Sequence, residues 1–234
     1  DSTTGEWKPK SISGVTFGTN GFHLKYENAG AMGTDSSGNN NTLTVNSAGT
    51  NPSTTDTPSN SFLTLNPLAT GSRGTFSLGN TKVQLNLQGS VPYGQVEFGT
   101  FAVNKGKWYF EVKNLSAGGG GKMGLGISER WETNSYTNGH NNVGSVGNAI
   151  YSNQGDIKIG SGSDETASSY TDNNIIGVAF DLDNSKVYFH KEGVYQRSGD
   201  PANGTGGDTL TSSYNDYWTP WITKDSTNSA HNST

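Results

Sequence analysis

The stretch NIIGVAFDLDNSKVYFHK, residues 174–191, decides the class of fold. Its first half is the most apolar segment of the chain, with Ile175, Ile176, Val178, Ala179 and Phe180. β-Branched and aromatic residues of this kind suit a pleated, buried surface. Asp183-Asn184 then supplies turn chemistry, because both side chains bond nearby backbone and tolerate left-handed geometry. Lys186-Val187-Tyr188-Phe189-His190-Lys191 returns as a second strand, so the stretch predicts a β-hairpin. No segment carries convincing helical periodicity and no fixed-length repeat is visible, which predicts an all-β chain.

Outward from the hairpin, strand signals recur. In Lys107-Trp108-Tyr109-Phe110-Glu111-Val112-Lys113, Trp108, Phe110 and Val112 point one way, and Tyr109 and Glu111 the other. Trp108, Phe110, Val178 and Phe180 are expected to face inward together and begin the core. Lys122–Ile127 is a strand in which Gly124 and Gly126 thin one face, a mark of close backbone approach. Ala149–Tyr151 and Asp156–Ile159 pair around Asn153-Gln154-Gly155, and Gly118–Gly121 reads as a turn. Further strands are predicted at Ser61–Leu65, Thr75–Leu78, Lys82–Leu87, Gln95–Phe101, Val194–Gln196 and Tyr217–Ile222. Pro220 inside the last points to an edge position or a bulge.

The first 60 residues differ. Phe22, Leu24 and Tyr26 alternate with His23 and Lys25, which predicts a strand over Gly21–Tyr26, with Trp7 and Phe17 upstream to pack on it. Residues 30–60 read as a polar loop, with a short strand at Thr42–Val45. A stretch this long without regular structure is uncommon in a compact domain unless it has a purpose. It is either a surface loop or an arm lying along a neighbouring subunit. The expected division is 1–60, a strand plus polar arm packed on the sandwich or on a neighbour, and 61–234, the sandwich.

Composition bounds the function. Only 29% of the 234 residues are hydrophobic and 15% charged, with 33 glycines, so short strands and long polar loops are expected. A chain of this length still buries roughly 70% of its unfolded surface, enough for a core without staples. The net charge of −5 repels phosphate backbones, so no nucleic-acid partner is expected. No run of 18 apolar residues exists, so no membrane insertion is expected. The absence of Cys excludes disulfides, Cys-ligated zinc and thiol chemistry.

Residues 105–222 resemble the SPRY family, also called B30.2-like domains. The matching pieces stand in family order: Gly106-Lys107-Trp108-Tyr109-Phe110-Glu111-Val112, Gly124-Leu125-Gly126-Ile127, Gly177-Val178-Ala179-Phe180-Asp181-Leu182-Asp183 with Lys186-Val187-Tyr188-Phe189, and Tyr217-Trp218-Thr219-Pro220-Trp221. The resemblance implies a two-sheet antiparallel β-sandwich of the concanavalin-like jelly-roll kind. The family's last strand, roughly N-F-G-Q, has no counterpart in the polar tail Ser226–Thr234. A sandwich without it exposes an unpaired edge. Either the polypeptide continues beyond residue 234, or another segment or chain fills the slot.

Upstream, Pro9–Gly14, Gly18–Phe22, Asp35–Asn41 and Asp56–Pro67 are similar to a lead-in found before SPRY-like domains in virion proteins of marine tailed phages. This resemblance implies a structural protein of a fibre, spike or capsid-surface appendage at the virion surface. Its implied partners are other copies of itself in a homo-oligomer, other virion proteins, and a host-surface glycan or protein.

No catalytic constellation is visible. Asp181 and Asp183 share a strand face at a hairpin end and read as turn formers, and the further acidic ligands of a calcium loop are missing. Glu129 and Glu132 flank Trp131 in a loop without the alternating acidic cluster that glycoside hydrolysis on such sandwiches needs. His23, His140, His190 and His231 are scattered, and no HExxH or GxSxG pattern occurs. His23 and His190 read as strand-borne rim residues. No catalytic residue, cofactor or metal is therefore expected. The expected ligand-binding residues are the loop aromatics Trp131, Tyr136, His140, Tyr214 and Tyr217, as paratope-like surfaces display them. The competing reading folds these rings back over the core. Alternatives to the virion role are a module gripping a short peptide and a carbohydrate-binding or carbohydrate-active domain.

Overall fold

The computed structural model of the chain describes residues 12–46, 63–69, 74–85, 95–116, 122–129, 148–212 and 217–224, and the backbone of 231–233. The chain divides into two compact units, residues 1–62 and 63–234.

In the first unit the strand expected over Gly21–Tyr26 does not form. Leu24 makes only an isolated bridge to Asp35. Phe22 and Tyr26 are exposed, and Tyr26 adopts φ 57°, which ends any extended run. Period-two alternation therefore misleads here: among the described residues Phe22 and Tyr26 stay exposed rather than packed. The segment is organised by a carboxylate instead. Asp35 accepts the N–H groups of His23, Ser37 and Asn41 and the hydroxyl of Ser37, all at 2.8–2.9 Å. These bonds, that from His23 foremost, hold its carboxyl at about 2. The Asn39 and Asn41 amides donate to carbonyls of Gly18, Thr19 and Gly21. Thr42–Val45 is no strand either; the Leu43 N–H bonds the Gly33 carbonyl.

Among the described residues, every strand pairing of the second unit is antiparallel. In chain order the strands are β1 Thr75–Ser77, β2 Lys82–Leu85, β3 Gln95–Phe98, β4 Lys107–Ser116, β5 Met123–Ser128, β6 Asn148–Ser152 and β7 Asp156–Ile159. There follow β8 Glu165–Thr166, β9 Ile175–Asp181, β10 Lys186–Lys191, β11 Val194–Tyr195, β12 Asp208–Thr209, β13 Thr219–Lys224 and β14 His231–Ser233. One sheet runs β1-β2-β14-β4-β9-β10-β11, with β12 also on β10, and the other runs β3-β13-β5-β6-β7-β8. Val83, Leu85, Phe110, Val112, Ile176, Val178, Phe180 and Phe189 of the first sheet pack with Met123, Leu125, Ile127, Tyr151 and Ile222 of the second. This is a β-sandwich core.

The second sheet is buried on both faces along β3, β13, β5 and β6. A separate cluster of Ala69, Val96, Phe98, Ile150 and Trp221 lies on its far side, with the Phe98 and Trp221 rings stacked. The glycines of β5 allow this: a Cβ at Gly124 would stand 2.3 Å from Ile150, and one at Gly126 would stand 1.9 Å from the Ala149 carbonyl oxygen. The close approach read from these glycines is observed.

Three expectations change. Phe110, Val178 and Phe180 are buried as expected, but Trp108 is 43% exposed. It lies one residue into β4, beside the turn at Gly106. Its ring packs on Phe101 and its indole N–H donates to the Lys105 carbonyl. Pro220 is not at an edge, since β13 pairs with β3 on one side and β5 on the other. Its carbonyl accepts the N–H of Gly99, and the pairing then resumes at Val103 and Trp218 with two extra residues on the β3 side, an irregularity of the bulge kind that accommodates a residue without an N–H. Finally, the polar tail contributes β14, which pairs with β2 and β4.

Candidate functional site

Tyr109 and Glu111 project from the outer face of β4, opposite the buried Phe110 and Val112. The registers β4–β9, β9–β10 and β10–β11 align Glu111, Gly177, His190 and Tyr195 in one row across four strands. A Cβ at Gly177 would stand 2.0 Å from His190 Nε2, so the bare glycine leaves the space that the imidazole fills. The ring thus lies across β9 and reaches β4.

Three hydrogen bonds then form a directed chain. The Gly193 N–H donates to His190 Nδ1 at 3.0 Å. A backbone amide can only donate, so Nδ1 carries no proton and the neutral ring holds its proton on Nε2. Nε2 lies 2.7 Å from the Tyr109 hydroxyl and donates to it, and that hydroxyl donates to Glu111 Oε1 in a short bond. Tyr109 stacks on His190 at 5.8 Å, and Tyr195 meets the same ring edge-on at 5.2 Å. His190 is only 4% exposed.

The electrostatics follow from this packing. Burial lowers the His190 pKa, and the negative charges of Glu111 and Glu192 offset this in part. Burial raises the Tyr109 and Tyr195 phenols. Glu192 sits in the turn after β10, where its Oε1 accepts the Ile175 N–H at 2.7 Å and the Asn174 amide at 3.2 Å; these bonds lower its pKa. Tyr109, Glu111, Ile175, His190, Glu192, Gly193 and Tyr195 enclose an open cavity of about 330 Å³. Such a cavity, aromatic-walled and with a few convergent polar groups, is suited to binding.

Of the residues the sequence put forward for binding, Trp131, Tyr136, His140 and Tyr214 lie outside the described residues. Tyr217, just before β13, is 52% exposed and does not line this cavity. Asp181 and Asp183 are turn formers: Asp181 accepts the Asn184 N–H and amide, and Asp183 accepts the Gly106 N–H. His190 is a buried, bonded member of the row rather than a rim residue, and His23 stacks on Phe17 in an irregular segment. Glu129 is buried and accepts the Ser212 hydroxyl, while Glu132 lies outside the described residues. Among the described residues no three His, Asp or Glu groups converge as metal ligands.

Sequence reasoning missed the row because it depends on the register of four strands. The available signal was a Tyr-x-Glu pair on the outward face of one strand, with a glycine and a histidine at matching depth in the next hairpin.

No curated protein matches the sequence. Residues 107–201 match the SPRY domain family. Among solved structures, the SPRY domain of human HERC1 is similar with a TM-score of 0.53 at 15% identity, covering 73% of this chain and 95% of that one. The TRIM65 PSpry domain is similar with a TM-score of 0.50 at 15% identity, covering 74% of this chain and 88% of that one. Identities this low carry the fold alone. The order of strands and the sandwich core agree with that match, so residues 107–201 are similar to the SPRY family in sequence and the unit around them shares the SPRY-like β-sandwich fold.

Proposed function

We propose that this chain is a protein-recognition component exposed on a tailed-phage virion, in a fibre, spike or capsid-surface appendage. The observation that carries the recognition role is the open cavity on the outer face of β4, β9 and β10, lined by Tyr109, Glu111, Glu192 and Tyr195. An interaction fold displaying such a cavity suits binding. The virion setting is supported by the likeness of Pro9–Gly14, Asp35–Asn41 and Asp56–Pro67 to the phage lead-in. In this reading the SPRY domain docks on host-surface or virion protein, and residues 1–60 serve as an arm against the sandwich or a neighbouring copy. A homo-oligomer multiplies weak contacts into avidity.

Immunogold electron microscopy of particles carrying the protein is expected to label the exterior. Native mass spectrometry is expected to give a closed homo-oligomer. A strict monomer that never labels particles overturns the virion reading. A second reading, a monomeric adaptor gripping a short peptide, is favoured by the small size of the cavity. It predicts a one-to-one peptide complex and no particle association.

A further inference from the structure

The cavity beside His190 has a chemical bias of its own. We propose that it receives the cationic side chain, lysine or arginine, of a partner protein. The proposal rests on the recognition reading above and adds the chemistry of the group recognised.

Two carboxylates face the cavity, and neither has a lysine or arginine ion partner among the described residues. The described bonds use Oε1 of Glu111 and Oε1 of Glu192, which leaves the second oxygen of each for a ligand. Lys113 shares the exposed face of β4 with Glu111 but forms no ion pair with either carboxylate among the described residues, and the other lysines of these strands are engaged elsewhere. Lys107 pairs with Asp181, Lys186 donates to Thr209, and Lys191 donates to the Ser169 carbonyl. The one basic group in the wall, His190, is buried and neutral, with Nε2–H directed at Tyr109 and Nδ1 accepting from Gly193. It therefore neutralises neither carboxylate.

The rings of Tyr109 and Tyr195 add aromatic walls, whose faces attract a cation while the aliphatic stem of a long basic side chain lies against Ile175. An anion would meet two carboxylates. A purely apolar group would strip water from them with no compensating bond. At about 330 Å³ the space holds one side chain rather than a folded surface.

The test uses the whole chain and four tripeptide probes at pH 7.5: acetyl-glycyl-arginyl-glycinamide and its lysyl, citrullyl and leucyl analogues. Citrulline keeps the shape of arginine and removes its charge. Amide NMR is expected to show saturable shifts at Ile175, Gly177 and Gly193 with the arginyl and lysyl probes and none with the other two. Glu111→Gln and Glu192→Gln are each expected to weaken binding roughly threefold to tenfold, since glutamine keeps the acceptor that holds each wall in place. Equal binding of the citrullyl probe, unchanged affinity in both variants, or no localised shift overturns the proposal. If the probes fail while the protein still labels particle exteriors, only the cationic assignment falls. If the arginyl probe binds and particles are never labelled, the virion setting falls and the pocket stands.

Discussion

At the residue scale, Gly177 and His190 act as one unit. A glycine inside a strand costs conformational entropy and contributes no packing, yet here its missing side chain admits an imidazole bonded at both nitrogens. Gly177→Ala would set a methyl on the ring. The ring is buried and cannot swing aside without losing the Gly193 and Tyr109 bonds. We expect a loss of roughly 1–3 kcal/mol, from overpacking and two broken hydrogen bonds, read as a lower denaturant midpoint at unchanged m-value. Adding His190→Ser to Gly177→Ala should recover part of that loss, because the clashing partner is gone. Strictly additive losses would show that the glycine serves the backbone and not the histidine.

At the element scale, β14 closes the first sheet. Its three residues lie between β2 and β4, so removing them leaves two edges of unpaired N–H and C=O groups facing each other across a slot. Deletion of residues 225–234 is therefore expected to lower the thermal midpoint and promote concentration-dependent association, followed by light scattering. An unchanged midpoint with the parent's own oligomeric state would mean that β14 contributes nothing to the sheet. This strand was also the least legible in the sequence, since His231-Asn232-Ser233 has no apolar alternation and is recruited by its neighbours' open ladders. The hairpin at 174–191 was legible because its strands are buried on both faces and read as an apolar run, and the strand at 107–113 because burial alternates from Phe110 on. Alternation failed at Gly21–Tyr26, where Phe22 and Tyr26 stay exposed, and at Pro220 the edge half of the reading failed because β13 is paired on both sides. The site was half legible. Tyr109 and Glu111 were assigned to the outward face, but their meeting with His190 needs a register that no single strand encodes.

At the scale of the whole molecule, the inner layer ends in a lysine. Lys224 closes β13 opposite Met123 and Gln95, is fully buried, and its Nζ has no hydrogen-bond partner among the described residues. Burial alone draws its pKa down to about 8. The sign follows from proton binding. Between about 8 and the ordinary lysine value near 10.5, the unfolded chain holds a proton that the folded chain has released. Stability therefore rises with pH across that window, and below it the full cost of burying the charge is present. Lys224→Met keeps the unbranched stem and removes the charge, so at pH 7 it should be more stable than the parent by roughly 1–3 kcal/mol. That advantage should shrink as pH climbs from about 8 toward 10.5. Burial also raises the folded-state pKa of Tyr109, Tyr151 and Tyr170, which lowers stability in alkali, but this contribution is common to both proteins and cancels in the difference. Paired urea titrations of parent and variant at pH 7, 8.5 and 9.5 read the difference directly. A variant less stable than its parent at pH 7, or a gap that does not narrow with pH, would show that the Lys224 ammonium is solvated or bonded in solution rather than held bare inside the sandwich.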